Sequence, residues 1–100
     1  MVEHKLKCFP VYFDAIKRGE KTIEVRRDDR GFQRGDIVVL QRTCEEGNKH
    51  WVDTYLNGEP KHQITFRIGW ILTGGQFGIE PGYVVFSLEA VSGEPGEESK

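Results

Sequence analysis

The chain has 100 residues, 37% of them hydrophobic and 30% charged, which is the length of one small domain with enough apolar content to fold. Its longest apolar runs, Ile37 to Leu40 and Tyr83 to Phe86, are far short of the roughly 20 residues that cross a bilayer. The start, Met1-Val2-Glu3-His4-Lys5, has no apolar stretch behind a basic head, so a cytoplasmic protein is expected. The net charge of -2 is unevenly spread: residues 1–50 hold 11 Lys+Arg against 9 Asp+Glu, and residues 51–100 hold 3 against 7. Between His4 and Arg34 nine basic residues face five acidic ones. Such a local basic patch suits a phosphate or a nucleic-acid backbone, while the acidic remainder argues against indiscriminate polyanion binding. A solvated mixed-charge surface is the plainer account.

In chain order, Val2, His4, Leu6 and Cys8 alternate with Glu3, Lys5 and Lys7 as in a half-buried strand. Pro10 then opens a helix to Arg18, with Phe9, Tyr12, Phe13 and Ile16 at three- and four-residue spacing and Gly19 as a left-handed stop. Thr22 to Arg27 reads as a second strand, with Ile23 and Val25 on the core face and Glu24 and Arg26 opposite. Asp28-Asp29-Arg30-Gly31 and Gly35-Asp36 are turn chemistry, leading into a β-branched third strand from Ile37 to about Arg42.

Thr43 to Lys61 is polar and reads as a long loop or a weak hairpin, with Asn57-Gly58 as a type I′ turn signal. His62 to Thr73 gives the longest strand, with Ile64, Phe66, Ile68, Trp70 and Leu72 in phase, so Trp70 is assigned to the core. Glycine-rich Gly74 to Gly82 turns the chain into a last strand, Tyr83 to Ala90. Residues 1–91 are thus one domain, and 92–100, rich in Gly, Pro, Glu and Ser, are read as a disordered tail. The expected fold class is α+β, a small, mostly antiparallel sheet of five to six strands curled into a partial barrel, with one short helix between strands one and two.

The string Gly19-Glu20-Lys21-Thr22-Ile23-Glu24-Val25-Arg26, followed by Phe32-x-x-Gly35-Asp36, resembles the G-x-K-x-x-E-x-R signature of the ASCH superfamily, small domains with a PUA-like barrel. The resemblance runs from His4 to about Leu88. It includes His4-x-Leu6-Lys7, Pro10-x-Tyr12-Phe13, Asp29-Arg30-x-Phe32, Ile71-Leu72-Thr73-Gly74, Phe77-Gly78 and Gly82-Tyr83-Val84-Val85, a set similar to the bacterial and phage branch called domain of unknown function 3850. It implies a cleft beside the helix, lined by the Lys-Glu-Arg signature and suited to RNA or a modified nucleoside. Another branch of the superfamily deacylates N-acetylated cytidine with a Lys, a Thr three residues later and a distant Glu. Lys21 matches that Lys, whereas Glu24 stands at the Thr position and the insertion that carries the distant Glu has no counterpart here.

Lys21, Glu24 and Arg26 form the leading constellation, to be weighed against a surface ion pair worth about 0 to 1 kcal/mol. In a cleft, Arg26 would grip a phosphate or base edge, Glu24 would accept from an exocyclic amine, and Lys21 would supply a point charge. In a dry pocket Lys21 and Glu24 could act as acid and base, with Thr22 a further catalytic candidate. His4, on an apolar face, reads more simply as a core residue, and Lys7 alternates to the other face. Arg27, Arg30 and Arg34 could track a backbone, although local salt bridges with Asp28 and Asp29 are the simpler account. Trp51, Tyr55 and Tyr83 are candidates for stacking on bases.

Cys8 and Cys44 are read as reduced thiols, and with His4, His50 and His62 they lack zinc-site spacing, so neither metal nor cofactor is expected. No phosphate-loop motif is present. The first functional reading is a monomeric module that binds RNA or a modified nucleoside through Lys21, Glu24 and Arg26, with His4, Lys7, Arg30 and Tyr83 as further contacts. The second is an amidohydrolase acting on an acylated nucleoside. The third is a phage-derived domain that binds a host protein.

Overall fold

The alternation at the chain's start becomes β1 (Glu3–Cys8), in which His4, Leu6 and Cys8 are buried and Glu3, Lys5 and Lys7 exposed. Pro10 opens α1 (Pro10–Lys17), which buries Phe13 and Ile16. Gly19, at φ +83°, ends it, its N–H donating to the Ile16 carbonyl at 3.0 Å. The computed structural model describes residues 1–91 and continues through β2 (Ile23–Arg27), β3 (Ile37–Glu46), β4 (Lys49–Val52), β5 (Gln63–Thr73) and β6 (Tyr83–Ala90). The reading of residues 92–100 as a tail lies outside the described residues.

The result is a small α+β fold, one open six-stranded sheet in the order β1-β3-β5-β6-β2, with β4 paired to the far half of β3 and one short helix after β1. The β1–β3 pair is parallel and the other ladders are antiparallel. The core joins Leu6, Cys8, Phe13, Ile16, Phe32, Val38, Leu40, Ile68, Val84 and Phe86, with Ile64, Phe66, Ile71 and Leu88 packed against it. Arg42 on β3 holds the helix by a two-pronged pair with Asp14, Nε to Oδ1 at 3.0 Å and Nη2 to Oδ2 at 3.1 Å.

Although the sheet is open, its edges approach. Arg26 Nη2 on β2 donates to the Lys7 carbonyl on β1 at 2.7 Å, and Arg30 Nη1 donates to the Lys5 carbonyl at 3.2 Å. Alternate residues of an edge strand aim their backbone groups away from the ladder, and two carbonyls of the outer edge of β1 are thus taken by arginine side chains. The seam between the edges is bridged by side chains instead of a backbone ladder.

Three expectations are corrected. In β2 the faces are reversed: Glu24 is buried while Ile23 and Val25 are exposed. The register explains it, because Glu24 and Arg26 lie opposite Phe86 and Val84, both deeply buried, and partners across a ladder share a face. Trp70 is not in the core but 60% exposed. A register shift between Ile68 and Ile71 adds a residue and turns the following side chains over, so Ile71 packs inward in its place. Finally, β3 runs on past Arg42 and forms a hairpin with β4 around Gly47-Asn48, where Glu46 faces Lys49. Asn57-Gly58 is not a type I′ hairpin turn: Gly58 donates to the Tyr55 carbonyl at 2.9 Å, and Asn57 does not adopt the positive φ that turn requires.

Candidate functional site

An open cleft of about 710 Å³ lies over the seam, lined by residues at the end of β1, the start of α1, β2 and β4. Its polar floor follows from the β2 register. Glu24, placed inward opposite Phe86, would be an uncompensated buried charge without partners. Lys21 Nζ meets its Oε1 at 2.8 Å and Arg26 Nη2 meets its Oε2 at 3.0 Å. The side chain of Glu24 is 7% exposed and those of Lys21 and Arg26 are 25% exposed, so this is not the surface ion pair that the alternation allowed. Lys21 also donates to the Ile23 carbonyl at 2.5 Å. The Nε–H and Nη1 donors of Arg26 and one N–H of Lys21 take no partner among the described residues. One carboxylate against two cations leaves this cluster net positive, with donors to spare.

The aromatic wall comes from Phe9, Tyr12 and His50. The Phe9 and His50 rings are 4.6 Å apart, and Lys21 Nζ sits 5.6 Å from the Tyr12 ring centroid, within cation–π range. Cys8 closes the inner side. Burial, reinforced by the Glu24 carboxylate, pushes its thiol up to about 11, against the opposing pull of Arg26 and Lys21. Cys8 is therefore protonated at neutral pH and lacks the thiolate a nucleophile needs.

Of the residues proposed from sequence, Lys7, Lys21, Glu24 and Arg26 meet in this cleft. Thr22 does not line it; its backbone carbonyl accepts from Leu88 N–H in the ladder at 2.9 Å. His4 is buried elsewhere, donating from Nε2 to Asp36 at 2.9 Å with its ring 4.7 Å from Phe32. Burial opposes ionisation of Asp36, but bonds from His4 and from the Val2 and Gln33 N–H groups hold its carboxyl below the usual aspartate value. His4 is thus a satisfied core residue. Arg30 sits on the seam outside the cleft, and Tyr83 lies beyond it with the Arg27 guanidinium 5.6 Å above its ring. Local salt bridges explain little of the arginine cluster. Arg30 reaches Asp29 only at 3.7 Å, Arg34 donates to the Gly69 carbonyl at 2.9 Å, and Asp28 accepts from the N–H groups of Gly31 and Phe32.

Sequence reasoning missed Phe9, Tyr12, His50 and Arg27 as cleft residues. Phe9 and Tyr12 share the spacing of Phe13 and Ile16, but a helix of eight residues buries only the latter two. Trp51 and Tyr55, two of the stacking candidates, are both exposed but line no part of the cleft.

Comparison with known proteins adds kinship without a reaction. Over 37 residues the chain is 40% identical to an uncharacterized 12.9 kDa protein in the GpA 3′ region of Escherichia phage P2, a match that spans 37% of this chain and 34% of that protein. The family described as "Domain of unknown function (DUF3850)" matches residues 3–88, a span that holds every strand but the last two residues of β6 together with every residue of the cleft. The chain therefore belongs to that family.

Proposed function

We propose that the cleft is a binding site for RNA or a modified nucleoside. The observation that carries this reading is the buried Glu24 carboxylate clamped by Lys21 and Arg26 beneath an aromatic wall. The spare donors of Lys21 and Arg26 match a phosphate, Tyr12 and Phe9 offer faces on which a base can stack, and Glu24 offers acceptor capacity to an exocyclic amine. The resemblance of Gly19 to Arg26 to the ASCH signature supports the same reading. Acid–base hydrolysis draws less support, because Glu24 is already paired with two cations, Thr22 lies off the cleft, and Cys8 is protonated.

The test uses cytidine 5′-monophosphate and a short single-stranded RNA as probes. Arg26→Ala removes a multi-donor anchor, and Glu24→Gln keeps the shape while removing the charge. Binding predicts that Arg26→Ala weakens affinity by about 1 to 3 kcal/mol, with Glu24→Gln losing comparably or less. A catalytic Glu24 would instead show turnover of an acylated nucleoside that drops about a hundredfold in Glu24→Gln while binding survives. RNA affinity should fall steeply with added salt. Indifference of both variants towards every probe that the parent binds would remove the cleft from consideration.

A further inference from the structure

The β5–β6 connection carries an unusual side chain. Gln76-Phe77-Gly78-Ile79 is a tight turn in which Ile79 N–H donates to the Gln76 carbonyl at 2.9 Å, and Phe77 and Gly78 both adopt positive φ, +51° and +79°. That is the pattern of a type I′ turn, which asparagine and glycine adopt readily and a bulky side chain adopts under strain. Phe77 is the one non-glycine residue at positive φ among the described residues, and it is 82% exposed. The strained position therefore yields no burial in return, and strain kept without packing gain marks functional positions. The turn is firmly seated: Gly75 N–H donates to the Ile79 carbonyl and Gly74 N–H to the Tyr83 carbonyl, both at 2.7 Å.

This hairpin stands at the Arg27 end of β2. Arg27 pairs with Tyr83 across the ladder, and Asp28 N–H donates to the Gly82 carbonyl at 2.8 Å. Arg27 lines the cleft and also lies over the Tyr83 ring. A cationic and aromatic path thus continues from the cleft, through Arg27 and Tyr83, to the root of the hairpin that projects Phe77.

We propose that Phe77 is a second stacking contact for a single-stranded nucleic acid, another nucleotide of which occupies the cleft, so that the ligand is a strand and not a free nucleoside. This rests on the cleft reading above and extends it. Alternation of positive charge with aromatic platforms is what such a strand requires: cations along its backbone and flat faces for its bases. A protein partner would find the exposed ring equally accessible but has no need of the Arg27–Tyr83 pair that links the hairpin root to the cleft.

The experiment compares cytidine 5′-monophosphate with a mixed-sequence single-stranded RNA of about 10 nucleotides, inside the usual footprint of such grooves. The proteins are the parent, Phe77→Asn and Phe77→Trp. Asparagine suits positive φ, so Phe77→Asn should melt at the parental temperature or above. The expected result is that the parent binds the RNA more tightly than the mononucleotide. Phe77→Asn should then lose about tenfold on the RNA, the scale of one base stack, with mononucleotide affinity unchanged, and Phe77→Trp should retain RNA affinity. Equal affinity of Phe77→Asn and the parent for the RNA overturns the inference while leaving the cleft reading intact, and frees the ring for a protein partner. RNA bound no more tightly than the mononucleotide also overturns it. If the parent binds neither probe, the cleft reading falls and the inference with it.

Discussion

Glu24 stands directly across the β2–β6 ladder from Phe86, a fully buried ring, so the carboxylate is held on the core side of the strand that carries it. The position is tenable because Lys21 and Arg26 close on its two oxygens. A double-mutant cycle on Glu24→Gln and Arg26→Met, read by urea unfolding, should give a coupling of about 1 to 2 kcal/mol, above the range of exposed pairs. A coupling below about 0.5 kcal/mol would mean that Lys21 and water, and not Arg26, satisfy the carboxylate.

Acid stability should depend on Asp36. Bonds from His4 and from the Val2 and Gln33 N–H groups hold its carboxyl below the usual aspartate value despite burial, so the folded protein binds the proton less well than the unfolded chain does. The stabilisation is present above the unfolded value and lost as pH falls through it towards the folded one. Asp36→Asn should lower stability at pH 7 by about 1 to 3 kcal/mol and flatten the acid limb of the stability profile. An unchanged acid limb would show that the His4–Asp36 pair has no part in it.

The opposite limb belongs to Cys8. Its thiol is raised from 9.0 to about 11, so the folded state disfavours the thiolate that the unfolded chain accepts. This stabilising term is complete below pH 9 and is lost as pH rises through about 11. In a Cys44→Ser background, alkylation of Cys8 at pH 8 should therefore be slow in the native protein and rapid in denaturant. Fast native labelling would contradict the burial of the thiol.

Two adjacent glycines should respond differently to alanine. A Cβ at Gly74 would fall on the Glu80 carbonyl, a backbone atom that cannot step aside, whereas at Gly75 the space is open and only the φ of +87° opposes it. Gly74→Ala should cost about 2 kcal/mol or more and Gly75→Ala about 1 kcal/mol, measured by urea midpoints. Equal losses would show that the turn relaxes around the added methyl.

The sequence made the order of elements readable, because strand alternation, Pro10 and Gly19 are local signals. What it concealed depended on partners far along the chain. The faces of β2 are set by Phe86 and Val84 on β6, and apolar Ile23 and Val25 on an edge strand pointed the other way. Trp70 kept perfect phase by counting, but the extra residue between Ile68 and Ile71 is invisible to a period of two. The polar 43–61 segment allowed a weak hairpin but drew the turn to Asn57-Gly58, although Gly47-Asn48 between Glu46 and Lys49 was the usable signal. At the site, Lys21, Glu24 and Arg26 stood out through the superfamily resemblance. Phe9, Tyr12 and His50 did not, since only the folded seam brings the helix start and β4 beside β2.

The sheet order β1-β3-β5-β6-β2 has a consequence for how the protein is made. β1 must wait for β3, and Ile23 finds its ladder partner only when Ser87 has been synthesised. The residues that meet in the cleft all leave the ribosome before β6, yet they become neighbours only after β6 docks, since long loops must close first. A nascent chain arrested before β6 would hold all the cleft side chains and no cleft. A ligand bound there would tie down the ladder that forms last, slowing amide exchange at β2 and β6.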